Sequence, residues 1–348
     1  MTEIMLASAD GAIERAAALI RAGELVAFPT ETVYGLGANA LDATATAKIF
    51  TAKGRPNTDP LIVHIADLDQ LAALITDADR LLNDLAAKFW PGPLTLILKR
   101  SRLVPDLVSA GLPTVAVRMP AHPVALALIR AAGVPIAAPS ANRFAHTSPT
   151  TAQHVYADLV GRISLILDGG PTAIGVESTI LDITARPLHI LRPGGVSLEA
   201  LQNFIPDFIA RDERHIDAER NTEALPAPGM LLKHYSPNAH LILIEGGSDA
   251  VQHAIIERTR ALVKANKHVG LLLAEEDRAS VEALDVPKTF VGGLTDMETI
   301  ARNLFAALRA LDDTGVDMII ARGFPVTGIG AAVRDRLVRA ASGQVVHV

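Results

Sequence analysis

Two cations one residue apart, Lys53 and Arg55, lie in Thr51-Ala52-Lys53-Gly54-Arg55-Pro56-Asn57-Thr58-Asp59-Pro60, just ahead of the apolar run Leu61-Ile62-Val63-His64-Ile65. Lysine supplies a point charge and arginine a planar fork of donors. A turn stiffened by Gly and Pro could therefore neutralise adjacent phosphates, or a carboxylate, in one fixed orientation. On this turn alone a structural reading stands level with that one: Lys53 ends a helix against its dipole and Arg55 is a surface charge. Arg118 closes the apolar run Thr114-Val115-Ala116-Val117. An arginine in such a place is rarely buried unless paired, and a carboxylate is its best partner, whether from a ligand or from a structural Asp or Glu. Ser140, Asn142 and Ser148 put neutral donors and acceptors beside Arg143, and Ser178 and Arg192 stand at further strand ends. His64 sits inside an apolar run, where a lone histidine is more often a core residue than a catalyst. Ser148-Pro149-Thr150 reads best as a helix cap.

Elements with the right periodicity surround these residues. Helical spacing predicts helices over 10–22, 43–52, 78–89 and 126–132, with another starting near Thr150. Strand-like runs cover 24–28, 61–65, 94–98, 114–118, 133–139, 164–167, 180–183 and 189–191. Pro29-Thr30-Glu31-Thr32-Val33-Tyr34-Gly35-Leu36-Gly37 reads as a loop whose hydroxyls and carboxylate form an edge; its glycines do not complete a dinucleotide or P-loop spacing. The first two hundred residues thus predict an α/β sheet domain with polar loops at strand ends. From Arg211 to Asn238 the pattern fails, and a spacer and a lid carrying Tyr235 are the two readings of that stretch. Beyond it, strands at 240–244, 269–273, 289–291 and 318–321 alternate with helices at 250–264, 275–283, 295–310 and 330–341, as in a small parallel α/β unit. Gly328-Ile329-Gly330 falls too late and is too short for a phosphate-binding fingerprint.

Composition narrows the class. At 348 residues two domains are expected, here 1–210 and 239–348 joined by 211–238. The net charge of −6 is thinly spread, with 16 basic against 19 acidic residues over 1–210, so no segment carries the basic excess of a dedicated nucleic-acid binder. The absence of cysteine excludes disulfides, thiolate catalysis and cysteine-ligated metals. No apolar run is long enough to span a bilayer, and the N-terminus lacks an export or transit pattern, so a cytoplasmic protein without membrane association is expected.

The blocks Pro29 to Gly37, Lys53-Gly54-Arg55-Pro56, Pro60 to His64, Trp90-Pro91-Gly92-Pro93-Leu94-Thr95, Val117-Arg118-Met119-Pro120, Pro139-Ser140-Ala141-Asn142 and Glu177-Ser178-Thr179, in this order, resemble the YrdC-like family. Pro228-Gly229-Met230 and Lys233-His234-Tyr235-Ser236-Pro237, with the α/β unit after them, look like the long two-domain threonylcarbamoyl-AMP synthases. The resemblance implies a YrdC-like twisted mixed sheet with helices, a Rossmann-like C-terminal domain, and a lid at 211–238. It also implies a reaction: L-threonine, bicarbonate and ATP, with Mg²⁺, give threonylcarbamoyl-AMP and pyrophosphate. The adenylate would pass to a separate tRNA threonylcarbamoyl transferase, with at most transient contact between this chain and tRNA. Lys53 and Arg55, with Ser140 and Asn142, match the nucleotide signature and are the catalytic candidates. Asp59, Thr114, Ala138, Ser148, Arg192 and Tyr235 match further positions around ATP, although many relatives carry Asn where Asp59 stands. Thr32, His64, Arg118 and Ser178 match L-threonine positions. No residues are expected to hold a resident metal. The rival from another class is a YrdC-like RNA-binding module without chemistry. Related hydrogenase-maturation carbamoyltransferases carry a zinc-finger segment that a cysteine-free chain cannot supply.

Overall fold

The structure is a computed structural model and describes residues 1–205, 209–211, 224–231 and 235–348. Most of the stretch expected as a lid, 212–223 together with 232–234, lies outside the described residues. The chain divides into two compact units. Among the described residues the first comprises 1–144, 148–205, 209–211 and 224–230, and the second comprises 145–147, 231 and 235–348.

In the first unit eleven strands among the described residues form one mixed sheet. In spatial order they are Glu3–Leu6, Leu165–Asp168, Val26–Phe28, Gly35–Asn39, Ile136–Ala137, Ile62–His64, Thr114–Arg118, Leu94–Lys99, Thr179–Asp182, Leu188–Arg192 and Ile209–Arg211. Successive side chains leave a strand on opposite faces, so its central strands can be apolar throughout only if both faces are covered. They are covered. Val26, Phe28, Leu165 and Leu167 pack with Ala16, Ile20, Leu128 and Ile129 of the helices Ala12–Arg21 and Pro123–Ala132. The intervening Ala27 and Ile166 belong to the opposite core, with Ile49 and Phe50 of Ala43–Lys53 and Leu82 and Leu85 of Arg80–Phe89.

The strand Gly35–Asn39 starts inside the segment expected to be loop up to Gly37. A Cβ on Gly37 would lie 2.8 Å from both the Ile136 and Phe28 side chains, so this strand pairs closely only because it lacks side-chain bulk there. The same missing bulk hides it from a hydrophobic pattern. The short strands Glu3–Leu6 and Ile209–Arg211 at the two sheet edges were also not expected.

The second unit holds five parallel strands in the order Lys288–Phe290, Val269–Leu273, Met318–Arg322, His240–Glu245, Val345–His347. Val251 and Ile255 of the helix Ser248–Lys264 pack against Ile242, Ile244, Leu271, Leu273 and Ile320. Further helices run over Met297–Asp312 and Gly330–Ala340. The helix expected over 275–283 is instead a 3-10 turn, Glu275–Asp277. Asp277 is fully buried; its carboxylate accepts from the Ala274 N–H at 2.9 Å and pairs with Arg322 at 2.5 Å. That is an N3 carboxylate reaching back to the N-cap amide, a helix-start contact, yet the turn does not continue into a longer helix. No helix of the described residues is long and apolar enough to cross a membrane.

Candidate functional site

Lys53 is the last residue of the helix Ala43–Lys53. Gly54, at φ 67°, ends the helix in the left-handed region and gives its N–H to Phe50 O. That ending turns the two cations inward. Lys53 is 3% and Arg55 7% exposed, which removes the surface-charge reading of Arg55. Lys53 Nζ donates to the main-chain carbonyls of Ser140 and Asn142, each at 2.5 Å. The Ser140 and Asn142 contribution to the lysine is thus mostly main chain, while Asn142 Nδ2 donates to Arg143 O at 2.8 Å. Burial, then the charge of Arg55, pushes the Lys53 amine well below its usual pKa.

Arg55 donates from Nε to Asp59 O at 3.0 Å and from Nη2 to Pro60 O at 2.7 Å. Its Nη2 also lies 2.8 Å from Asp59 Oδ1, an ion pair without directed hydrogen-bond geometry. Asp59 is fully buried and neither carboxylate oxygen receives a hydrogen bond. Burial raises its pKa despite the opposing charges of Arg55, Lys53 and Arg192.

A second cluster forms where two parallel strands end side by side, with His64 in register with Arg118. Arg118, 3% exposed, spends its fork on three acceptors: Gly92 O from Nε at 3.1 Å, Thr32 Oγ1 from Nη1 at 3.0 Å, and Glu31 Oε1 from Nη2 at 2.6 Å. Thr32 Oγ1 is also 2.8 Å from Thr30 Oγ1. His64 Nδ1 is buried without a hydrogen-bond partner and its ring meets Phe28 edge-on at 6.3 Å. Burial, then the Arg118 charge, lowers its pKa to about 3, so the ring is neutral at physiological pH.

Loops from different parts of the chain connect the two clusters. Gly175 N–H donates to Thr32 O at 3.1 Å; two residues on, Glu177 Oε1 accepts from Ser148 Oγ at 2.5 Å. Ser148 therefore does not cap the following helix. Thr151 does, accepting from His154 N–H. Ser178 Oγ lies 2.7 Å from Thr95 Oγ1 and accepts from Arg192 Nη2 at 3.2 Å. Arg192 also donates to Ser178 O, and from Nη1 to Pro228 O at 3.2 Å. The neighbouring Gly229 amide points at Asp59. Gly194 lets the turn after Arg192 lie against the loop that carries Ser178, since a Cβ there would sit 2.3 Å from the backbone of Glu177, Ser178 and Thr179.

The remaining expected residues are placed as follows. Ala138 is buried and gives its N–H to Ile62 O at 2.9 Å. Thr114 opens the strand that Arg118 closes and no hydrogen bond of its side chain ties it to either cluster. Tyr235 is part of the second unit, where its ring stacks on Phe305 at 5.7 Å and lies under the Arg336 guanidinium at 4.9 Å. Two carboxylates that sequence reasoning left unassigned, Glu31 and Glu177, are built into the network. A usable signal existed for Glu31, because a buried Arg118 calls for a carboxylate partner. Ser148 gave no comparable pointer to Glu177.

These loops belong to segments shared with known proteins. A family profile described as telomere recombination, covering Sua5, YciO and YrdC proteins, matches residues 18–194. A second, described as the C-terminal domain of threonylcarbamoyl-AMP synthase, matches 196–342. The threonylcarbamoyl-AMP synthase of Pyrococcus abyssi is 47% identical over 336 residues, 97% of this chain and 96% of the relative. That of Bacillus subtilis is 48% identical over 347 residues, 98% of this chain and 96% of the relative. The crystal structure of P. abyssi Sua5 complexed with L-threonine superposes with a TM-score of 0.93 at 45% identity, covering 100% of both chains. With both halves matched and the similarity running end to end, this chain belongs to the two-domain threonylcarbamoyl-AMP synthase family.

Proposed function

We propose that this chain is an L-threonylcarbamoyladenylate synthase, a nucleotidyltransferase that converts L-threonine, bicarbonate and ATP into threonylcarbamoyl-AMP and pyrophosphate. The observation carrying this reading is one buried network that holds two separate cationic clusters in the first unit, Lys53 with Arg55 and Arg118 beside His64. Two anionic reactants need two such sites. The threonine amine takes up carbon dioxide as a carbamate, the carbamate oxygen attacks the α-phosphate of ATP, and pyrophosphate leaves. Neutralising and aligning the two anions is then most of the protein's task.

In this assignment Lys53 and Arg55 face the phosphates, and the loops carrying Ser140, Asn142, Ser148 and Arg192 surround the nucleotide. Asp59, Thr114, Ala138 and Tyr235 are further proposed ATP contacts. Arg118 takes the threonine carboxylate, with Thr32, His64 and Ser178 around it; a neutral His64 serves as a hydrogen-bonding group and not as a cation. Among the described residues no three His, Asp or Glu side chains converge as a metal site. Mg²⁺ is proposed to come in on the triphosphate, where it would offset phosphate charge. The bond from Arg192 to Pro228 ties one described residue of the expected lid to a proposed ATP residue, which favours the lid reading over the spacer. The product would be consumed by a tRNA-modifying transferase, since a mixed carbamic–phosphoric anhydride survives only if passed on quickly.

The test is pyrophosphate release from ATP and Mg²⁺ with L-threonine and bicarbonate added singly and together, with mass detection of the adenylate. Release that requires both, with the threonylcarbamoyl adduct present, is the expected result. No release from folded protein under any combination removes the synthase reading and leaves the RNA-binding one to be tested by titration against salt.

A further inference from the structure

The Arg118 pair leaves an asymmetry. Glu31 gives one oxygen, Oε1, to Arg118, while Oε2 is buried and receives no hydrogen bond. The side chain is 11% exposed, and the amides of Glu31 and Ala121 approach the carboxylate without bonding Oε2. Arg118 and these amides hold the group below its ordinary pKa against the opposing effect of burial, so it is a carboxylate at neutral pH. An arginine that needed only a structural counter-ion would be served by a two-point carboxylate fork, with both oxygens satisfied. A buried carboxylate oxygen left open costs stability unless a donor arrives from elsewhere. The carboxylate stands among side chains proposed for threonine: Arg118 bonds its other oxygen and also Thr32, and both His64 and His122 feel the Glu31 charge.

We infer that Glu31 Oε2 is the recognition point for the α-amino group of the amino-acid substrate. This rests on the synthase reading and deepens it. Arg118 takes the negative end of the zwitterion and Glu31 the positive end, so the two ends sit on the two members of one ion pair. Glu31 accepts from the ammonium of the entering amino acid and, after carbamate formation, from the remaining N–H. It orients the nitrogen and is not the base that deprotonates it, because a carboxylate held acidic by Arg118 is a poor proton acceptor. The selectivity that follows is for α-amino acids over hydroxy acids of the same shape.

The experiment compares, by calorimetric titration, binding of L-threonine and of 3-hydroxybutyrate, which keeps the carboxylate and the β-hydroxyl but has no amine. The wild type should prefer L-threonine by about tenfold or more, the worth of a charge-assisted hydrogen bond in a buried site. Glu31→Gln should collapse that preference, losing affinity for L-threonine while changing 3-hydroxybutyrate much less. Equal losses for both ligands would mean that Glu31 acts only by holding Arg118, and would overturn the inference. So would a wild type that does not distinguish the two ligands. If Glu31→Gln fails to fold, Glu31→Asp, which keeps the charge and withdraws the oxygen, is measured instead with the same two outcomes. A folded wild type that binds neither ligand removes the threonine site itself, and this inference with it.

Discussion

Arg118 allows the sharpest calculation. Arg118→Ala removes a guanidinium from a pair whose side chains are 4% and 11% exposed and 2.6 Å apart. Breaking a buried pair from one side costs about 3–5 kcal/mol, because the partner charge stays behind. The donors to Gly92 O and Thr32 Oγ1 go as well, at about 1 kcal/mol each, so a total of about 5–7 kcal/mol is expected. The sole tryptophan, Trp90, is buried in the first unit with its Nε1 bonded to Leu94 O, and its fluorescence reports the unfolding of that unit. At a urea slope of about 2 kcal/mol per M the midpoint falls by about 2.5–3.5 M. The diagnostic comparison is with Glu31→Gln and the double variant. If the orphaned carboxylate carries the cost, the double variant loses less than the sum of the singles by about 1.5 kcal/mol or more. Losses that add within about 0.5 kcal/mol would show that the pair is not energetically coupled and would refute the reasoning. In variants that remain folded, the L-threonine requirement should rise more than the ATP requirement; the reverse ranking would move Arg118 to the nucleotide.

Three further outcomes are expected. Arg55→Lys keeps the charge but loses the fork that bonds Asp59 O and Pro60 O, so pyrophosphate release should fall strongly while the Trp90 transition persists; undiminished turnover would take Arg55 out of the site. His64 has a folded-state pKa of about 3, below its unfolded value near 6.5. The unfolded chain therefore binds the extra proton, and the stability contributed by neutral His64 is present above about pH 6.5 and is lost as pH falls toward 3. His64→Gln should flatten that part of the stability profile, and NMR of the imidazole should show one neutral form from pH 5 to 8. Gly194→Ala places a Cβ 2.3 Å from three backbone atoms, none of which can swing aside, so a loss of at least about 3 kcal/mol is expected; a near-neutral effect would show that the Glu177–Thr179 loop yields easily.

The helices Ala43–Lys53 and Arg80–Phe89 were legible because their apolar spacing and stop signals agree with the core they enter. Gly35–Asn39 and Glu3–Leu6 were not. The first is a strand by virtue of missing side chains, and the second is an edge strand with largely exposed residues, so neither carries a pattern. The helix expected over 275–283 stops after one turn, whose Asp277 is held by a partner, Arg322, forty-five positions away. Among site residues, the types and spacing of Lys53, Arg55 and Arg118 left an anion site level with a structural role; the structure buries all three and pairs Arg118 with Glu31. The helix cap expected at Ser148-Pro149-Thr150 falls one residue later, at Thr151, and the Ser148 hydroxyl goes to Glu177, which no local rule connects to it.

By itself the sequence determined the α/β class, the two-unit organisation of its elements, and which side chains were chemically able to meet phosphate and carboxylate, because periodicity, turn residues and functional groups are local properties. Tertiary structure alone decided that Lys53 is held by two carbonyls from residues 140 and 142, that Arg118 shares its fork among Gly92, Thr32 and Glu31, and that Arg192 joins Ser178 to Pro228. These partners are up to nearly ninety positions apart along the chain. The shifted pKa values of Lys53, Glu31 and His64 follow from burial and from neighbours that only the folded sheet brings close.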